Sequence, residues 1–172
     1  MKLHLGCGPN YIKGWVNIDL DSPLADVHAD FREPLPYQDA SVDFIFTEHF
    51  IEHITQAEGL FFLKECRRVL KQGGAIRIST PDPRWLVAQY TGGKLDEWRN
   101  VGWEPETSCR LLNEGMRLWG HQFLYDLPEL SAVLSKAGFY EITQASYQKS
   151  SRGELDGLEC RPWHQELILE AC

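Results

Sequence analysis

The sequence predicts an α/β protein: a doubly wound, mostly parallel sheet of about seven strands carrying a small helical cap. Three observations predict it. Short apolar runs alternate with helix-length segments, the pattern of strands joined by helical crossovers. The first apolar run leads straight into Gly6-Cys7-Gly8, where glycines allow a sharp turn and let backbone N–H groups approach a ligand with no Cβ between. Asp19 closes the next apolar run, where a carboxylate is placed to accept hydrogen bonds from ribose hydroxyls.

Each element has a local cause. Residues 3–5 form a first strand that alternates poorly and so reads as buried, and 15–20 form the second. Residues 26–29 make a weaker third strand, and Val-Asp-Phe-Ile-Phe-Thr over 42–47 a strong fourth. Thr55 opens a helix through a capping box with Glu58. Leu60, Phe61, Leu63, Val69 and Leu70 supply its apolar side, and Gly73-Gly74 ends it. Residues 75–79 form the fifth strand, closed by Pro81 and Pro83. Residues 84–122 hold four of the six tryptophans (Trp85, Trp98, Trp103, Trp119) and read as a helical cap, since linkers lack aromatic anchors. These rings are expected mainly in the cap's own core, where burying one contributes about 2–3 kcal/mol. Asp126 caps a further helix with Pro128 close behind. Leu130, Val133, Leu134 and Ala137 face inward, and Gly138 stops it. Residues 139–148 and 164–171 complete the sheet, joined by a loop over 150–162.

Composition bounds the function. The 172 residues make one domain, with 84–122 as an insertion on the substrate side. Seventeen basic against twenty-five acidic residues give a net charge of −8, which argues against a nucleic-acid or anionic-membrane partner and for a small-molecule one. Five scattered cysteines without a C-x-x-C pair suit reduced thiols. No apolar leader precedes the first strand, and no run approaches the ~20 apolar residues that span a bilayer. A cytoplasmic monomer or homodimer is expected.

Several segments together carry a family resemblance. Leu3-His4-Leu5-Gly6-Cys7-Gly8 resembles the first motif of the class I S-adenosylmethionine-dependent methyltransferases. Asp30-Phe31, Leu35-Pro36 and Ser41-Val42-Asp43 resemble that family's next blocks, as does Glu48-His49-Phe50-Ile51-Glu52-His53. Residues 65–74 resemble the helix that leads into its fifth strand. The resemblance covers residues 2–82 well and 121–148 loosely. It implies a Rossmann-like sheet with an antiparallel C-terminal strand, and S-adenosylmethionine as cofactor. By position, Gly6, Cys7 and Gly8 would pass under the methionine moiety, Asp19 with Leu20 would hold the ribose, and Asp30 with Phe31 would meet the adenine. Thr47 and Glu48 would line the cleft where the methyl group is presented.

Two departures stand out. His4 occupies the position of the family's usual acid, which helps to fix the cofactor's ammonium group. The stretch between Gly8 and Trp15 is too short for the usual first helix, because two turns plus connections need ~10 or more residues. A bare loop is expected instead, with Asn10 and Tyr11 taking over contacts from the helix N-terminus. His49, at the mouth of the fourth strand, and His121, where the cap rejoins the sheet, are the candidate general bases.

Other readings compete. A nicotinamide-dependent oxidoreductase would need a third glycine near Tyr11 and a helix to carry the pyrophosphate, both missing. A binding module without catalysis is compatible with His4 and the trimmed crossover. His49 to His53 also matches the H-x-x-E-H zinc-protease pattern, but the capping box at Thr55 starts the main helix after it. No metal is expected.

Overall fold

The computed structural model describes residues 1–95, 102–161 and 166–172. Trp98, Pro162 and His164 lie outside the described residues. Seven strands form one sheet: β1 (Lys2–Leu5), β2 (Val16–Asp19), β3 (Val27–His28), β4 (Val42–Glu48), β5 (Leu70–Pro81), β6 (Thr143–Gln144) and β7 (Glu166–Ala171). Their order is β3-β2-β1-β4-β5-β7-β6. The pairs from β3 through to β5 are parallel, and β7 runs antiparallel to both β5 and β6. The order reverses between β1 and β4, so a crevice opens there beyond the strand carboxyl ends.

One face of the sheet is apolar. Leu3, Leu5, Ile18, Ile45, Ile76 and Ile78 point into a core closed by α1 (Gln56–Val69) and α4 (Leu127–Ala137). The Thr55–Glu58 capping box is present in full. The buried side of α1 is Gly59, Phe62, Leu63, Cys66 and Val69, a 3.6-residue stripe, whereas Phe61 is exposed. Its end also differs from expectation. The helix stops at Val69 because Leu70 is already extended and pairs with Val42 in β5. Gly73-Gly74 instead sits in a bulge between the Leu70 and Ala75 pairings, where Gly73 takes φ +78. Asp126 caps α4, its four expected inward residues are buried, and Gly138 ends it at φ +97.

The opposite face is covered without a helix between β1 and β2. Trp15, Phe46, Ala75, Leu155 and Cys172 form a small cluster under the loop that precedes β7. Of residues 139–148 only Thr143 and Gln144 are strand, paired with β7 and flanked by hydrogen bonds from Ala145 to Ile168 and between Tyr140 and Cys172. Arg77 anchors that loop. Its fully buried guanidinium pairs with Glu159 and Glu170 and donates to the carbonyls of Lys149 (3.0 Å) and Ser146 (2.9 Å).

The segment between β1 and β2 is stapled rather than coiled. Asn17 Oδ1 accepts the Ile12 N–H at 2.8 Å, and its amide donates to the carbonyls of Ile12 and Trp15 and to Asp26. Asp26 in turn accepts the Asn17 N–H at 2.8 Å. The cap contains α2 (Pro83–Gly92) and α3 (Ser108–Arg117), which enclose Leu86, Trp103 and Leu111. Gly115 lets them approach, since a Cβ there would lie 2.5 Å from Leu86 Cδ2. Trp85 packs against this small core, whereas Trp119 is exposed. No described helix is long and apolar enough to cross a membrane.

Candidate active-site cleft

A cleft of about 470 Å³ opens at the carboxyl ends of β1, β2 and β4, within the size range of small-ligand sites. Gly6 and Gly8 form its floor, Asp19 and Leu20 one wall, and Asp30 and Phe31 another. His49, Phe50 and His53 close the side beneath the cap.

The glycines are required for different reasons. Gly6 has φ +70, and a Cβ on it would lie 2.8 Å from the Phe50 Cβ. Gly8 has φ +50 but nothing within 4 Å of a notional Cβ, so its bare backbone faces the space a ligand would fill. Its N–H donates to Asp19 Oδ2 at 2.9 Å, while Asp19 Oδ1 accepts the N–H groups of Asp21 and Ser22, each at 3.0 Å. Burial alone would raise the Asp19 carboxyl, but these three donors outweigh it and hold it below the usual range. Gly8→Ala is expected to weaken nucleoside binding without unfolding the chain, because φ is its only internal cost, about 1–2 kcal/mol. A melt together with calorimetry measures both effects.

Other expected residues are placed differently. Cys7, Asn10, Thr47 and Glu48 are not part of the cleft lining. Cys7 is buried, and Asn10 N–H closes a turn onto the Cys7 carbonyl at 2.9 Å. The Tyr11 hydroxyl reaches Asp26 at 3.3 Å, away from the cleft. Strand alternation turns Glu48 to the loop-covered face, where it accepts from Cys160 N–H at 3.0 Å and Cys160 Sγ at 3.0 Å. Asp30 does line the cleft, but Arg32 grips both its carboxylate oxygens. His4 is buried, stacked on Phe46 and bonded through Nδ1 to Asn17 Oδ1 at 3.0 Å. Burial lowers its pKa more than Asn17 raises it, so it is a neutral support for the loop.

His49 is held between two acids. Its Nε2 lies 3.0 Å from Glu166 and its Nδ1 3.2 Å from Glu52, so carboxylates face both ring nitrogens. Burial would lower its pKa, but these two acids outweigh that and push it up to about 9. It also sits at φ +53, a backbone strain common at functional positions. His121 does not line the cleft. Its Nδ1 faces the Gly115 carbonyl at 3.1 Å, and its ring packs against His53 at 5.1 Å between centroids.

Two cleft residues escape a sequence reading. Arg161 lies at the end of a loop with no motif, and Gln122 is placed only by cap folding, its N–H donating to the Glu52 carbonyl at 2.7 Å. Periodicity gives no signal for either.

Known proteins share part of this sequence and its fold. Residues 3–78 match the family model described as a methyltransferase domain. A probable S-adenosylmethionine-dependent methyltransferase of Mycolicibacterium smegmatis is 32% identical over 99 residues, 46% of this chain and 37% of that protein. The chain thus spans little more than a third of the curated relative it matches. Among solved structures, a SAM-dependent methyltransferase from Archaeoglobus fulgidus superposes with a TM-score of 0.60 at 17% identity, over 99% of this chain and 84% of that one. One from Mesorhizobium loti also gives 0.60 at 17% identity, over 99% and 89%. At such identities the likeness establishes the fold.

Proposed function

We propose, from the premise that this chain belongs to the class I S-adenosylmethionine-dependent methyltransferases, that it transfers a methyl group to a small-molecule acceptor. The observation that carries the reading is the arrangement of Gly8 and Asp19. A bare, left-handed glycine adjoins open space, and a charged carboxylate with a spare acceptor position stands at its side. The residues present fit the cofactor: the floor is free of side chains, and acids on the walls complement a cation. S-adenosylmethionine supplies the activated methyl group.

The chain's own residues bind and orient. Asp19 accepts a ribose hydroxyl, with Leu20 against the sugar. Phe31, held edge-on by Phe50 at 4.9 Å between ring centroids, bounds the adenine region beside Asp30. Arg161 takes the amino-acid carboxylate through a charge-assisted hydrogen bond. Glu52 and Glu166 flank His49 beneath the cap and keep the local charge negative, whichever protonation state His49 holds. With His49 enclosed by carboxylates, rate enhancement rests on positioning, which can supply about 7–11 kcal/mol. The cap over 84–122 forms the acceptor side of this single domain, and the net charge of −8 favours a small molecule over nucleic acid there.

Isothermal calorimetry with S-adenosylhomocysteine tests this directly. One site per chain is expected, with NAD giving no heat. Arg161→Ala is expected to weaken the interaction about 10- to 100-fold, the worth of one charged hydrogen bond. No heat from the wild-type chain, or NAD binding more tightly, would sink the proposal. A small-molecule acceptor panel with labelled methyl donor then separates an enzyme from a binding module.

A further inference from the structure

We infer that Glu52, His53 and His121 form a site for a divalent transition-metal ion at the wall of the cleft. The inference is independent of methyl transfer. The three residues present ligand atoms that all lie within 4.8 Å of one another. They come from two pieces of chain held together by backbone hydrogen bonds, since both Gln122 N–H (2.7 Å) and Phe123 N–H (3.3 Å) donate to the Glu52 carbonyl. The Gln122 side chain also donates to the His53 carbonyl at 2.7 Å. The ligands are therefore positioned before any ion arrives.

Two of the three donors are fixed by partners of their own. Glu52 is fully buried, and its Oε2 accepts from Thr80 Oγ1 at 3.0 Å. Its Oε1 faces His49 Nδ1 at 3.2 Å on one side and His53 Nε2 at 4.0 Å on the other, so it is the oxygen turned toward the imidazoles. His121 Nδ1 faces the Gly115 carbonyl at 3.1 Å, which fixes the proton there and leaves Nε2 with its lone pair. This is the second bond by which metal-ligating imidazoles are usually oriented.

The donor set selects the ion. Two imidazoles and one carboxylate suit Zn²⁺, Co²⁺ or Fe²⁺ rather than Mg²⁺ or Ca²⁺, which prefer oxygen ligands. Metal–ligand lengths of about 2.0–2.2 Å require donors about 3.4 Å apart, so the side chains close by roughly 1 Å on binding. Two carboxylates near three imidazoles leave the cluster net negative, which favours an added cation. His53 is part of the cleft wall, so a three-ligand ion there keeps a position open to water or to an oxygen-bearing ligand. The H-x-x-E-H pattern thus contributes only its last two residues. His49 is diverted to Glu166, and the cap supplies the third ligand.

The test uses tag-free full-length protein, stripped with chelator and titrated with Co²⁺ while visible absorption is recorded. One equivalent is expected to bind, with bands of a four- or five-coordinate site that Zn²⁺ abolishes. His53→Ala and His121→Ala are each expected to weaken binding at least about 100-fold, more than loss of an outer-sphere partner costs. His28→Ala, whose ring faces the Leu20 carbonyl and is not one of the clustered ligands, is expected to match the wild type. His53 is half-exposed, so its variant folds and decides the matter should His121→Ala melt early. Absence of a one-equivalent band in the wild type, or retention of it in a folded His53→Ala, overturns the inference.

Discussion

Asp19→Ala is expected to reduce S-adenosylhomocysteine affinity by at least about 10-fold, from one charged hydrogen bond to ribose at roughly 1.5 kcal/mol or more. The loss goes beyond that contact. Without the carboxylate, the N–H groups of Gly8, Asp21 and Ser22 lose their acceptor, and the bend that shapes the cleft floor loosens. Asp19→Asn separates the two effects. Its single amide oxygen can keep some of the N–H bonds but presents an NH₂ where an acceptor stood. The Asp19→Asn variant is therefore expected to restore much of the thermal stability and little of the affinity. Unchanged affinity in both variants would remove Asp19 from the site. The pH dependence follows from the depressed carboxyl: its stabilisation is complete above the ordinary carboxylate range of about 3.9 and is lost as pH falls through the lower folded value.

Arg77→Ala is expected to be the most destabilising single change, by about 3–5 kcal/mol, the penalty for breaking a buried ion pair. That is a large part of the roughly 5–15 kcal/mol of a typical domain. Truncation leaves Glu159 and Glu170 buried without their cation, and the carbonyls of Ser146 and Lys149 without their donor. The loop that carries Cys160 and Arg161 would then detach from the sheet, and cofactor affinity would fall with stability. Arg77→Lys should rescue little, since one ammonium cannot reach four partners at once. Replacing the triad together, with Arg77→Met, Glu159→Leu and Glu170→Leu, should recover stability over Arg77→Ala, because no charge remains stranded. Urea midpoints measure the series. A wild-type-like Arg77→Ala would mean that the loop is held by its apolar contacts alone.

What was legible in the chain follows from how local each cause is. The strand ahead of Gly6, the Thr55–Glu58 capping box, the Asp126 cap and the bare loop in place of a first helix each depend on a few neighbouring residues, and all are present. Asp19, Asp30 and Phe31 reach the cleft because they follow the ends of adjacent parallel strands. The end of α1 was not legible, because Leu70 leaves the helix to pair with Val42 on the preceding strand, and that long-range ladder outweighs a local glycine stop.

The amino-acid sequence by itself determined most of the sheet and the acid beside the glycine bend, since periodicity, capping and glycine placement act over a turn or a strand. Only the tertiary structure decided how the charged side chains pair. Arg77 with Glu159, Arg77 with Glu170, and His49 with Glu166 are separated by 82, 93 and 117 residues, though each pair is in contact. The His53 and His121 rings meet across a comparable stretch of chain. The physical reason is that a buried charge takes whichever opposite charge the fold delivers, and delivery depends on strand order and loop path rather than on spacing along the chain.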